Sequence, residues 1–384
     1  MKKETARTFF ALLRSAVFGS KLGEAELGQF NNEQFPELLK MSIKHDVAHL
    51  LVLGLKQNGL ISQGETQKII YKAVLRCERL KYEYEKVCAA LEDAKIQFVP
   101  LKGSVLRKLY PEEWMRTSCD IDILVRKENL EEAVCCLSEK LQYTESERGP
   151  HDVGFDSPSG VRVELHFDLV AEGKAKNAAD ILKNVWDDVS LCDGCNYQYQ
   201  MSDALFYFYH IAHMAKHFEN GGCGLRPFID MKILDSIEDA DVNARNKILD
   251  KGGLLRFAEV SRKLSNVWFS NEEDDEFSRK LTDFILHGGS FGTSENRVAL
   301  QQKKNGGRVG YILSRVFLSY DRLKRYYPVL EKHKWLMPVM QIRRWFMLLN
   351  PIVMRMAKNE ISANNSVDKS LADNMNELLR NVGL

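Results

Sequence analysis

Residues 118–126 read SCDIDILVR, and they set two aspartates one residue apart inside an otherwise apolar run. Ile121, Ile123, Leu124 and Val125 predict a buried β-strand, where unpaired carboxylates are costly. A strand turns successive side chains to opposite faces, so Asp120 and Asp122 point the same way from the sheet. The run is a paired-carboxylate site built into a strand, and the fold around it follows from its neighbours.

On the N-terminal side, IQFVPL (96–101) predicts a short strand and KGSVLRKLY (102–110) a turn that opens a helix. On the C-terminal side, ENLEEAVCCLSEKL (128–141) predicts a helix. HDVGFDS (151–157), the turn PSG (158–160) and VRVELHFDL (161–169) then predict a β-hairpin. Outside this mixed unit the pattern is helical. Apolar residues recur at three and four spacing from Thr5 to about Ala94, punctuated by Gly59 and Gly64, and again from about Ser202 to Leu348. The polar tail 362–384 adds a short helix. The expected class is α+β: a small mixed-sheet core over 95–172, with an N-terminal helical region (1–94) and a C-terminal helical region (173–384).

The whole chain bounds what that core can do. It has 384 residues, 45% of them hydrophobic, enough for a full core in two or three domains. Lysines and arginines number 54 against 53 acids, a net charge of +1, so no global basic field drives nonspecific nucleic-acid binding and any anion site is local. Arg7 and Arg14 interrupt the first apolar patch, and Pro338, Gln341, Arg343 and Arg344 interrupt the longest later one. The expectation is a cytoplasmic protein with no membrane span, whose Trp335–Met356 stretch is an amphipathic or buried helix with apolar surface for a partner or a second copy, membrane contact being the weaker reading. The eight cysteines include one CxxC, Cys192 and Cys195, without a matching second pair; reduced thiols are the simpler reading than zinc. RLKRYYP (322–328) and QIRRWF (341–346) interleave cations with aromatics, and are read as solvated or packed helix faces rather than an RNA site.

Glu164 repeats the theme of the first strand, a single acid between Val163 and Leu165. If the two strands are neighbours, three carboxylates converge, which calls for cations. Hard oxygen ligands at an open site suit Mg²⁺ or Mn²⁺ with substrate phosphates completing the shell. The turn before Asp120 supplies Lys102, Gly103 and Ser104, whose backbone N–H groups and hydroxyl could hold phosphate oxygens. The order is what is specific: strand, Gly-Ser turn, helix, acid-apolar-acid strand, acid-bearing strand.

With those residues in hand, the chain resembles the nucleotidyltransferase superfamily with the polymerase β-like fold. Residues 101–104, 120–123 and 163–165 match its pattern. More closely, PLKGSVLRKLYPEEWMRTSCDIDILV, HDVGFDSPSGVRVELHFDL and HIAHMAKHFENGGCGLRPFIDMKIL resemble a bacterial family of nucleotidyltransferases over roughly residues 40–270. The stretch from Ser104 to Asp120 is longer than in compact superfamily members; its YPEEWMR forms either a flap over the nucleotide or a helix extension.

The resemblance implies transfer of a nucleoside monophosphate from NTP to a hydroxyl of a small molecule or protein, with pyrophosphate leaving. It implies Asp120, Asp122 and Glu164 as catalytic and metal-binding residues, Glu164 also as proton acceptor, and Lys102, Gly103, Ser104 and Arg116 as nucleotide-binding residues. Lys102 could instead extend into solvent, and Arg116 could instead pair with an acid. His210, His213 and His217 share one helix face; His210 and His213, with His166, are candidates for a substrate pocket, and a zinc site there is the weaker reading. His151 is a weaker candidate than His166. Arg226 and Asp230 are expected to pair with each other. Two other readings stay open: a noncatalytic nucleotide-binding regulatory module, and a toxin-like enzyme that modifies tRNA.

Overall fold

Alternation along the acid-bearing strand sorts its side chains into two layers, and the rest of the fold is arranged around that division. The structure is a computed structural model that describes residues 3–384 apart from 29, 62, 63, 65, 170–175, 271, 291 and 368. Its main sheet contains β1 (Phe98–Pro100), β2 (Asp120–Val125), β3 (Thr144–Arg148), β4 (Asp152–Asp156) and β5 (Arg162–His166), in the order β1-β2-β5-β4-β3. β2 runs parallel to β5, and the other neighbours are antiparallel. A mixed sheet with flanking helices makes the protein α+β.

Across β2 and β5 one face of this sheet is apolar. Ile121, Ile123 and Val125 of β2, with Val163 and Leu165 of β5, pack against the long helix Gln67–Asp93 and the helix Leu130–Cys135, which continues as a π-helical turn Cys136–Lys140. Asp120, Asp122, Glu164 and His166 alternate with those residues and so emerge on the opposite face. Leu124, on that same side, joins the large second core. This core also holds Phe9 and Leu12 of the first helix, and Tyr207, Phe208 and Ile211 of the helix Asp203–Glu219. The acids therefore lie between the sheet and the C-terminal helices.

The strands expected over 96–169 are present, and three strands not expected from the sequence join them. β3, TESER, has every residue exposed at the sheet edge, so it lacks the alternation by which strands are recognised. In the region expected to be purely helical, β6 (Val189–Leu191) and β7 (Tyr199–Met201) form a small hairpin, and Gln198 bridges Phe98 at the outer side of β1. These three-residue strands are too short for periodicity to register. The last part of the tail forms the expected helix, Lys369–Asn381, and its first residues close the helix Pro351–Ser366. Among the described residues no helix is long and apolar enough to cross a membrane.

Candidate active site

The parallel pairing of β2 with β5 puts Asp122 directly beside Glu164, Asp120 beside Arg162 and Leu124 beside His166. Asp122 is 3% exposed, and one oxygen, Oδ1, accepts two hydrogen bonds: from Lys102 Nζ at 3.0 Å and from His166 Nε2 at 2.7 Å. His166 Nε2 is also 3.6 Å from Glu164 Oε2. Burial pushes the Asp122 carboxyl up, but Lys102 and His166 outweigh it and hold the group well below the usual carboxylate range. Asp120 and Glu164 go the other way. Burial raises both, and the fixed negative charge of Asp122 raises each further. One acid is thus permanently ionised and its two neighbours are made more basic.

Asp122, Glu164 and His166 bring a ligand atom each within 4.8 Å of one another, the one such group of His, Cys, Asp and Glu among the described residues. The third predicted acid, Asp120, is outside that triplet and one step along the same strand face. Its carboxylate has no ion-pair or hydrogen-bond partner among the described residues, and it lines the adjoining cavity. Two carboxylates side by side and a third open to a cavity suit a hard divalent cation. Neither the histidine helix nor the Cys192/Cys195 turn forms a ligand group; the cysteines are free thiols in the loop between β6 and β7.

The turn after β1 carries backbone strain at Lys102 and not at its glycine. Lys102 has φ 40° and ψ −114°, a conformation that favours glycine. Gly103 is needed for another reason: a Cβ there would lie 3.1 Å from both Cβ and Oγ of Ser118. The twisted backbone at Lys102 accompanies an ammonium group aimed back at Asp122, not into solvent. Burial lowers the Lys102 pKa, yet the acids and Tyr209 around it raise it on balance, so it stays charged. Ser104 is buried, its hydroxyl has no partner, and it does not line the cavity. Its N–H donates to the Leu101 carbonyl. The expected phosphate contact through its side chain is not presented, because the first turn of the short helix Gly103–Leu106 rotates it inward.

Lys102, Gly103, Arg116, Asp120 and Asp122 line a cavity of about 280 Å³ whose opposite wall is the helix Asp203–Glu219, through Tyr209, His210, His213 and His217. A smaller cavity of about 100 Å³ lies beside it, lined by His166, His151 and Asp168, and Lys102, Tyr209 and His213 border both. His210 is tied to the Pro227 carbonyl at 2.9 Å; His213 stacks edge-on against His217, with ring centres 4.5 Å apart. Burial lowers all three histidines, His217 to about 4. They form a neutral, polar wall.

Arg116 reaches the cavity but is also anchored. Its Nε donates to Asp230 Oδ1 at 2.7 Å, and Tyr110 donates to the same oxygen at 2.7 Å. The expected Arg226–Asp230 pair is therefore replaced: Asp230 takes Arg116, and Arg226 pairs with Asp46 at 3.1 Å and donates to the Thr117 carbonyl. Helical spacing allowed the first pairing, but the catalytic module supplies a nearer cation. YPEEWMR does not extend the helix; it forms the short 3₁₀ turn Glu113–Met115, with Met115 buried and Trp114 packed on the main core. Two residues of the site escaped the sequence reading: Tyr209 lies between the two cavities, and Arg162 crosses Gly154 to stand 3.9 Å from Glu164. The period of two that puts His166 on the face of Glu164 puts Arg162 there as well, so alternation along β5 could have pointed to it. Arg226, expected only as an ion-pair partner, lines the larger cavity.

Residues 31–270 match the sequence profile of a protein family described as uncharacterised nucleotidyltransferase. The match covers more than half of the chain and contains every acid, cation and histidine of the site, so the chain belongs to that family. No curated protein and no solved structure matches it.

Proposed function

We propose, from this membership of a nucleotidyltransferase family, that the protein moves a nucleoside monophosphate from an NTP to a hydroxyl group of a small-molecule or protein acceptor. The observation that carries the reading is the side-by-side placement of Asp122 and Glu164, with Asp120 two residues away, facing a cavity edged by Lys102 and Arg116. The acceptor oxygen attacks the α-phosphorus, the bond from that phosphorus to the bridging oxygen of the β-phosphate breaks, and pyrophosphate leaves.

Asp120, Asp122 and Glu164 would hold Mg²⁺ or Mn²⁺, which supplies charge neutralisation at the phosphates and Lewis-acid activation. Glu164, made more basic by burial and by Asp122, accepts the proton of the acceptor hydroxyl. Lys102 and the cavity-facing edge of Arg116 neutralise the triphosphate, the guanidinium giving the more directional grip. Gly103 lets the backbone of the turn approach it. His166 acts through Asp122: its hydrogen bond orients the carboxylate. Tyr209, His210 and His213 wall the pocket without adding charge.

The test incubates the purified chain with Mg²⁺, an NTP labelled at the α or the γ position, and a bacterial small-molecule and protein extract. Label transferred from the α position only, and lost by about a thousandfold in Asp122→Asn with the fold retained, is the expected result. Transfer from the γ position would mean a kinase. Mg-NTP binding without transfer would mean a nucleotide-binding regulatory module.

A further inference from the structure

Two of the helices that follow the family-matched region, Arg308–Val316 and Met337–Phe346, turn a row of apolar side chains outward. In Met337–Phe346 the inward side is fixed by Gln341, which donates to the Leu318 carbonyl at 2.7 Å, by Arg344, which donates to the carbonyls of Arg315 and Val316, and by Met337 and Met340, which pack on a small core. Val339, Ile342 and Phe346 recur at three and four spacing on the opposite side, facing solvent. The helix Arg308–Val316 repeats the arrangement. Tyr311 is buried, while Val309, Leu313 and Val316 are exposed. The two helices adjoin where Trp345 Nε1 donates to the Val316 carbonyl and Phe317 meets the Trp345 ring edge-on at 5.5 Å. Exposure here is large for apolar side chains: Phe346 66%, Val309 71%, Leu349 73%, Trp335 74%. Apolar surface on this scale marks an interaction site.

Charge narrows what covers it. Between Arg308 and Ile361 the chain has eleven lysines and arginines against three acids, Asp321, Glu331 and Glu360, the last paired with Arg315, although the whole chain is at +1. Arg322, Lys332, Lys334, Arg343, Arg355 and Lys358 are exposed among the apolar groups. A second copy docking on this surface would bring the same cations against themselves. RNA would use the cations and the aromatic rings, but most of the exposed apolar groups are aliphatic and offer no face on which a base can stack. A bilayer surface uses both components, since aliphatic and aromatic groups enter the acyl boundary while Lys and Arg remain among anionic headgroups. No described helix can span a membrane, so attachment is at the surface.

We infer that residues 308–361 form a peripheral docking surface for an anionic lipid bilayer. The inference does not depend on the nucleotidyl-transfer reading. The experiment sediments the full chain with phosphatidylcholine vesicles, with and without phosphatidylglycerol. Three variants accompany it: Ile342→Glu/Phe346→Glu, Val309→Glu on the second helix, and the charge reversal Lys332→Glu/Arg355→Glu. All these positions are exposed, and unchanged circular dichroism melting checks that they leave the fold intact. Binding to the anionic vesicles alone, weakened at least about tenfold by the double apolar variant and by the charge reversal and more mildly by Val309→Glu, and falling with added salt, is the expected result. Failure to sediment with anionic vesicles overturns the inference, as does sedimentation that survives both double variants. A dimer abolished by Ile342→Glu/Phe346→Glu, or retention of single-stranded RNA in place of vesicles, assigns the surface to another occupant and overturns it equally.

Discussion

Asp122 receives two cationic or hydrogen-bonding partners on one oxygen, so its charge is secured before any metal or nucleotide arrives. That explains how a carboxylate survives at 3% exposure in an apolar strand. Elsewhere single residues limit stability instead. His45 and His49 are buried, and each donates one ring N–H, to the carbonyls of Leu286 and Met115. Burial is the main cause that lowers both to about 4 from an ordinary 6.5. Between those values the unfolded chain binds more protons than the folded one. Stability present in full above the ordinary histidine value is therefore lost as pH falls towards 4. At about pH 5 each histidine should cost about 2 kcal/mol relative to neutral pH. Urea unfolding at a series of pH values should show this fall, and a His45→Gln/His49→Gln variant should flatten it; an unchanged slope would contradict the assignment.

Two elements hold the site in shape, and each yields a separable effect. In the turn between β1 and its helix, Lys102 takes a glycine-like backbone conformation. Lys102→Gly and Lys102→Ala both remove the ammonium and should both abolish transfer. The glycine variant should nevertheless be the more stable of the two, by about 1 kcal/mol, because only the alanine keeps the Cβ that strains the turn. Equal melting temperatures would refute the strain. Between the module and the C-terminal helices, Asp230 on the helix Arg226–Asp235 holds Arg116 and Tyr110. Asp230→Leu leaves a buried guanidinium without its counter-charge and should cost about 3–5 kcal/mol. Adding Arg116→Met should recover part of that loss, which a double-mutant cycle in urea measures; strict additivity would mean that the pair is not coupled.

At the scale of the whole molecule, one apolar core runs from Phe9 through Val99 and Leu106 of the catalytic module to Val382. Helices near both ends of the described chain are thus buried against the same body as the active site. A small separate cluster, Leu318, Leu323, Tyr327 and Leu330, supports the segment below the exposed apolar surface. So small a cluster resists opening far less than the main core does. Backbone amides of the helix Tyr320–Tyr326 should therefore exchange with deuterium at least about tenfold faster than those of Asp203–Glu219. Equal protection would show that this segment opens only with global unfolding.

Much of the catalytic module could be read directly because its chemistry is local. Acid-apolar-acid in β2 and Glu-Leu-His in β5 each fix which side chains share a face, since a strand has a period of two. The chain alone thus determined the α+β class, the paired acids and their orientation, and the shared face of His210, His213 and His217. Contacts between distant segments were decided by the tertiary structure. The β2–β5 register put His166 rather than Asp120 into the tight cluster with Asp122 and Glu164, and helix docking gave Asp230 to Arg116 and brought Tyr209 between the two cavities. Periodicity reports which way a side chain points from its own element. It carries no information on which of several compatible charges, many residues away, will lie within 3 Å, because that depends on how the elements pack and on the desolvation that packing imposes.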